Sequence, residues 1–383
     1  MKTVNVGIIG GGLMGKEAAS AFGRWFALKD YPVKVQLTAV CDIDQKALNW
    51  YKQIDSVSLL TTDYNELIHS ELVDVVYIAV PHHMHESMYI DILQAGKDLL
   101  GEKPFGIDLA AAKSIAKVAK ENGRFARCSS EMPFFPGPQR VVAEVNSGRL
   151  GRIIEIKAGF LHASDMNPTK PINWKRQSAY CGEIGVMGDL GIHALHIPLR
   201  LGWKPQSVYA HLQKIITQRP DGKGGMANAD TWNNATLSTR VNLENGDTVP
   251  MSLEMKRLAP GETNTWYIEV LGTEGGIRYS TKDIKALWTY NWNGGKEQSW
   301  QRTDLGFEVP FPTVTGGIFE PGFPDVFQQM LAAYFAEREG ELTGRFGCVT
   351  LEEAIASHEV FAAALASHEH NKTVQLEETV VQD

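Results

Sequence analysis

The stretch VNVGIIGGGLMG, residues 4–15, constrains the chain more than any other. An apolar run of strand character passes without a break into a glycine cluster and then into a helix-forming segment. Gly10, Gly12 and Gly15 keep G-x-G-x-x-G spacing, and each has its own task. The first permits a tight turn, the second lets the backbone approach a pyrophosphate, and the third lets the helix pack closely on the strand. The helix N-terminus then presents amide donors and the positive end of its dipole to phosphates. Leu13 and Met14 lie inside the turn and belong to the same candidate cofactor surface. A second apolar run, VQLTAVCD (35–42), ends in Asp42, 27 residues beyond Gly15 because RWFALKDYP lengthens the connection. An acid at that point accepts hydrogen bonds from adenosine ribose hydroxyls, and Ile43 stands where an arginine would welcome a 2′-phosphate. The expected cofactor is therefore NAD, with NADP as the alternative.

The first third continues to alternate strand-like and helix-like segments. LMGKEAASAFGRWFALK (13–29) reads as one helix, LVDVVYIAV (72–80) as a strand, HESMYIDILQAG (85–96) as a helix and DLLGEKP (98–104) as a short strand stopped by proline. Near-continuous apolar strands between helices imply a parallel sheet covered on both faces. After about residue 128 the pattern becomes a succession of alternating strands, several joined by Gly- or Asn-Gly-containing turns such as NGD at 245–247, which favours antiparallel neighbours. RPDGKGGMANAD (219–230) reads as a mobile loop, and two helices, 323–339 and 350–369, finish the chain. The fold class is α/β: an N-terminal Rossmann domain with a parallel sheet (1–128), then a C-terminal α/β domain built on a large, open, mainly antiparallel sheet (129–383) for substrate binding and oligomerisation.

Composition limits the partners. The formal net charge is −8, and no Lys/Arg cluster stands out, which argues against nucleic acid or an anionic membrane. No apolar segment is long enough to span a bilayer, and the N-terminus lacks the form of a signal peptide. Cys41, Cys128, Cys181 and Cys348 are widely spaced with no C-x-x-C pair, which suits reduced thiols. A cytoplasmic protein acting on a small molecule is expected.

Three further motifs carry chemistry. PHHMHE (81–86) crowds His82, His83 and His85 together. Neighbouring histidines in a short turn rarely converge on one ion, so no metal is expected. The segment follows a strand's carboxyl end, where ligands of open α/β sheets sit, which makes Pro81 and His85 candidates for the cofactor cleft. GEKPFG (101–106) places Glu102 and Lys103 at the end of another strand. In GVMGDLGIHALHIPLR (185–200), Asp189, His193, His196 and Arg200 recur at i, i+4, i+7 and i+11, on one face of an otherwise apolar helix. Burying such groups costs free energy unless they are paired or useful.

Taken in order, GxGxxG, the acid after the second strand, AVPHHMHE, EKP and GDLGIH resemble the glucose–fructose oxidoreductase / inositol dehydrogenase / rhizopine catabolism (Gfo/Idh/MocA) family over almost the full length. The resemblance implies oxidation or reduction of sugars, polyols and related compounds with NAD(H) or NADP(H), and dimers or tetramers formed through the second sheet. It assigns the catalytic set to Lys103, Asp189 and His193, and it implies that the motif helix packs between domains with its polar stripe lining the substrate cleft. An imidazole takes the hydroxyl proton near neutral pH, and a lysine stabilises developing alkoxide charge. Trp174, Lys175 and Arg176 stand where relatives often have a Trp-Arg pair, and Lys175 and Arg176 join His196 among the substrate-binding candidates. His196 departs from the acid that many relatives carry there. The rival activity is an NAD-dependent glycoside hydrolase working by transient oxidation and elimination, with help from His85, His196 or Tyr180. A non-catalytic dinucleotide or sugar sensor is the third reading, disfavoured because Lys103, Asp189 and His193 are all present.

Overall fold

The computed structural model describes residues 3–295, 297–306, 309–316 and 318–376. They fall into two compact units, Met1–Phe134 with Phe307–Ala354, and Phe135–Gly306 with Ile355–Asp383.

The first unit is built on strands β1 (Thr3–Ile9), β2 (Lys34–Cys41), β3 (Leu59–Thr61), β4 (Val75–Ile78), β5 (Asp98–Gly101) and β6 (Ala126–Cys128). They pair in parallel in the order β3-β2-β1-β4-β5-β6. This is the doubly wound arrangement, in which the crevice lies outside the carboxyl ends of the strands at the point where the order reverses. Helices α1 (Leu13–Gly23), α2 (Gln45–Asn49), α3 (Tyr64–Ile68), α4 (His85–Gln94) and α5 (Leu109–Glu121) connect them. The helix expected over 13–29 stops at Gly23. A single turn, Trp25–Ala27, follows, and Trp25 buries its ring edge-on to Tyr31 and Phe335.

The contiguous division at residue 128 is not the one the chain adopts. The helix Phe323–Arg338 returns to the first unit, where Phe335 meets Phe22 and Trp25 and Tyr31 Oη donates to the Ala332 carbonyl at 2.5 Å. Two ion pairs, Arg127–Glu337 at 2.6 Å and Arg338–Asp98 at 2.7 Å, fix it further. Local sequence pattern cannot register such a return, because the partners are about two hundred residues apart or more.

In the second unit helices α6 (Pro136–Asn146), α7 (Ser178–Cys181) and α8 (Val186–Arg200) accompany strands β7 (Ile153–His162), β8 (Pro205–Gln213), β9 (Gln218–Pro220), β10 (Met226–Asn228), β11 (Asn234–Asn242), β12 (Thr248–Lys256), β13 (Asn264–Gly272), β14 (Gly275–Ser280), β15 (Ala286–Asn291), β16 (Gln301–Asp304) and β17 (Val374–Gln375). Nine of them form one sheet in the order β16-β15-β14-β13-β7-β12-β11-β8-β17. Every pairing is antiparallel except β12 with β7. The segment expected as a mobile loop instead holds the β9–β10 hairpin, pinned by Arg219, which donates to the backbone carbonyls of Asp165 and Asn167, each at 2.9 Å.

Helix α8 lies against β7, β12 and β13. Val186–Pro198 are all buried, and the alternation of β13 turns Trp266, Ile268 and Val270 inward. Gly191 allows a close approach: a Cβ there would fall on the Phe361 ring of the Leu351–His370 helix. Gly191→Ala therefore overpacks this contact, and thermal unfolding should show a loss of about 1–3 kcal/mol, the usual range for a methyl forced into a filled core. Adding Phe361→Leu should return part of that loss, because neighbours in contact are not additive.

Candidate active site

In the first unit the glycine turn takes the form its spacing demands. Gly10 sits at φ +97°, and a Cβ there would collide with the Ala79 carbonyl; one on Gly15 would collide with the Gly10 carbonyl. A Cβ on Gly12 would meet no described atom within 4 Å. Gly12 is also the N-cap of α1, and no side chain among the described residues caps that helix. The turn is thus tight where the chain folds on itself and open where a phosphate would approach. Asp42 is fixed beside it: Oδ2 accepts from the Gly11 amide at 2.6 Å and Oδ1 from Asp44 N at 2.8 Å. Leu13 and Ile43, at 81% and 89% exposure, are apolar surfaces flanking this acid and turn. Uncapped amides, an open glycine, an anchored carboxylate and exposed apolar side chains all fit a dinucleotide.

Position 85 differs from its expected role. His85 is fully buried, with Nδ1 2.7 Å from the Pro104 carbonyl and Nε2 3.0 Å from the Val80 carbonyl, and its ring stacks on Tyr89. It braces the EKP turn from within and has no surface for a cofactor. Among the described residues no group of three or more His, Cys, Asp or Glu side chains is placed to hold a metal ion. Glu102 is likewise buried, accepting from Tyr77 Oη at 2.8 Å, while its carbonyl accepts from Tyr89 Oη at 2.9 Å. Lys103 follows at the carboxyl end of β5, half-buried, and Pro81 follows β4 just after its end.

In the second unit Asp189, His193 and His196 share one face of α8, as their spacing requires, and all three are buried. Asp189 is held from both sides. Lys175 Nζ donates to Oδ1 at 3.0 Å and Arg257 Nε donates to Oδ2 at 3.2 Å. His193 presents its ring edge-on to Phe160, and its carbonyl accepts from Trp266 Nε1 at 2.7 Å. Arg200 donates to His196 Nε2 at 3.3 Å. Burial and the Arg200 charge push the His196 pKa well below its ordinary value, so the ring is neutral.

Lys175 also lies over the Trp174 ring at 5.6 Å. Arg176 points elsewhere: it is buried against Asp165 at 2.5 Å, which gives it a structural task in place of the expected substrate contact. The residue that sequence reasoning missed is Arg257. Its signal is parity, since Val249, Met251, Leu253 and Met255 face inward along β12 and Arg257 continues the same register.

Residues 4–129 match the GFO/IDH/MocA oxidoreductase family, NAD-binding Rossmann fold, and residues 139–278 match the GFO/IDH/MocA C-terminal domain. Levoglucosan dehydrogenase of Pseudarthrobacter phenanthrenivorans is 26% identical over 296 residues, 73% of this chain and 74% of that protein. Trans-1,2-dihydrobenzene-1,2-diol dehydrogenase of Sus scrofa is 26% identical over 177 residues, 46% of this chain and 51% of that protein, about half its length. Among solved structures, levoglucosan dehydrogenase in complex with NADH and L-sorbose is similar with a TM-score of 0.88 at 21% identity, over 99% of this chain and 100% of that one. An NAD binding oxidoreductase from Klebsiella pneumoniae gives 0.86 at 24% identity, over 98% and 100%. These likenesses show a common fold.

The buried neutral imidazole has a measurable consequence. The unfolded chain takes up the His196 proton near its ordinary pKa of about 6.5, whereas the folded protein resists it. Stability contributed at this site is therefore complete above that pH and falls as pH drops, by about 1.4 kcal/mol per unit. Urea unfolding between pH 7.5 and 5 should show this slope, and His196→Gln should flatten it; an unchanged slope in the variant would refute the assignment.

Proposed function

Because the chain belongs to the GFO/IDH/MocA oxidoreductase family, we propose that it transfers hydride between NAD(H) and a hydroxyl-bearing carbon of a sugar, polyol or glycoside. The observation that carries this reading is a buried helix that keeps a carboxylate and two imidazoles on one face. The name of its relative, levoglucosan dehydrogenase, and the L-sorbose in that enzyme's complex support a carbohydrate.

The turn of Gly10, Gly12, Leu13, Met14 and Gly15 would hold the pyrophosphate through backbone amides, and Asp42 the adenosine ribose. Pro81, Glu102 and Lys103, which follow the ends of β4 and β5, would line the nicotinamide side of such a site. Bound NAD+ supplies the hydride acceptor. His193 takes the hydroxyl proton as the carbon–hydrogen bond breaks with its electron pair and the carbonyl forms. Lys103 hydrogen-bonds the reacting oxygen and stabilises its developing negative charge. Asp189 and Lys175, already bonded to each other, present a paired anion and cation to the neighbouring hydroxyls. Subunits would pair as a homodimer or homotetramer through the nine-strand sheet.

A redox-assisted glycosidase would need an additional acid or base. His85 is packed against two carbonyls and His196 accepts from Arg200, so of the three candidates only the exposed Tyr180 is left for that role. The deciding assay supplies NAD+ with free sugars, polyols and chromogenic glycosides, and reads NADH and released aglycone together. NADH should accumulate with a free sugar or polyol, and His193→Gln should lower kcat by about 10²–10⁴, the range for losing a general base, while NADH fluorescence titration stays within about twofold. Aglycone release that needs NAD+ but leaves no net NADH would sink the dehydrogenase reading.

A further inference from the structure

Arg257 is 1% exposed, and its guanidinium touches three segments of the second unit that lie far apart in sequence. Nε donates to Asp189 Oδ2 at 3.2 Å. One terminal nitrogen donates to the Lys175 carbonyl at 3.2 Å and to the Trp232 carbonyl at 3.5 Å, and the other to the Gly185 carbonyl at 3.5 Å. Gly185 is the N-cap of α8, so the guanidinium holds both the start of that helix and the acid in its first turn. The same group fixes the backbone of Lys175, whose ammonium takes the other oxygen of Asp189. Burial opposes its charge and Asp189 favours it. A buried cation of this kind persists only where its partners are fixed, and the fixing works in both directions.

We propose that Arg257 is a positioning residue of the reaction: it sets the rotamer of Asp189 and the height of Lys175 relative to α8, so that carboxylate, ammonium and the His193 ring form one constellation. This rests on the dehydrogenase reading for its kinetics, but the geometry it asserts does not. The planar five-donor fork matters, because a lysine at 257 would keep the charge toward Asp189 and lose the carbonyls of Trp232 and Gly185. Misplacement of a reacting group by about 1 Å costs on the order of 10² in rate, so small shifts suffice.

Arg257→Lys and Arg257→Ala test it, each assayed well below its own melting temperature. In both, kcat should fall at least about tenfold while NADH affinity stays within about twofold, and added guanidinium should restore at least about fivefold in Arg257→Ala but nothing in Asp189→Asn. Retention of kcat within about twofold in Arg257→Lys would reduce the residue to a structural one and overturn the proposal. Hydrogen exchange supplies a readout that needs no substrate. Amides of 173–176 and 186–190 should exchange faster in Arg257→Lys than in wild type, while β8 keeps its protection. Unchanged or uniformly raised exchange would overturn the proposal even if no sugar is turned over, whereas wild-type inactivity on the whole panel with the selective exchange pattern would refute only the dehydrogenase reading.

Discussion

A helix buried along its length can carry charged groups only if each one meets a partner. α8 meets that condition by recruiting partners from distant parts of its unit. Lys175 reaches Asp189 from the segment before α7, and Arg257 reaches it from just past β12. Trp266 on β13 ties down the His193 carbonyl, and Arg200 closes the stripe at His196. The β7–β12 pairing bears on this requirement. It is the one parallel register in an otherwise antiparallel sheet, and both its strands lie beneath α8. It brings the end of β12, and Arg257 beyond it, to the same end of the sheet as His162 on β7.

The first unit solves a complementary problem. There the polar groups that matter are backbone amides at the start of α1, and the sequence leaves them unclaimed by any described side chain. Gly12 opens the approach, while Gly10 and Gly15 are confined by the Ala79 and Gly10 carbonyls. Asp42 ties the second strand's end to the turn through its contact with the Gly11 amide. A side-chain cap on α1 would stabilise that helix by about 1 kcal/mol and would take up amides that a helix N-terminus otherwise offers to an anion.

Much of this was legible in residue order because it depends on short-range geometry. Glycine spacing after a strand, the four polar positions of α8 and the alternation along β11–β13 each involve neighbours within a turn or a strand. The features that escaped depend on contacts between remote segments. The return of Phe323–Arg338 to the first unit rests on Phe335, Glu337 and Arg338 finding Trp25, Arg127 and Asp98. Gly- and Asp-rich composition made 219–230 read as a loop, and only the buried Arg219 fork, reaching three carbonyls, shows why a hairpin forms there. His85 and Arg176 have partners that residue order does not reveal, for a common reason. A polar residue near a strand end or beside a motif suggests a ligand, and only burial reveals that carbonyls or Asp165 already occupy it.

The charged cluster around α8 is better understood as geometry than as stability. Arg176, Arg219 and Asp165 are almost wholly buried, as is Arg257 against Asp189. Replacing such pairs with well-packed apolar residues is commonly neutral or stabilising, whereas removing one partner costs about 3–5 kcal/mol. A fold needing only a core here would have a simpler solution in leucine and methionine, which already line the inward face of β12. What apolar packing cannot supply is direction: a carboxylate with each oxygen assigned to a different cation has one rotamer, and the lysine that supplies the second cation is held at its backbone carbonyl by the same arginine that fixes the helix start. That is the arrangement expected where a reaction needs polar groups that do not reorganise as charge moves.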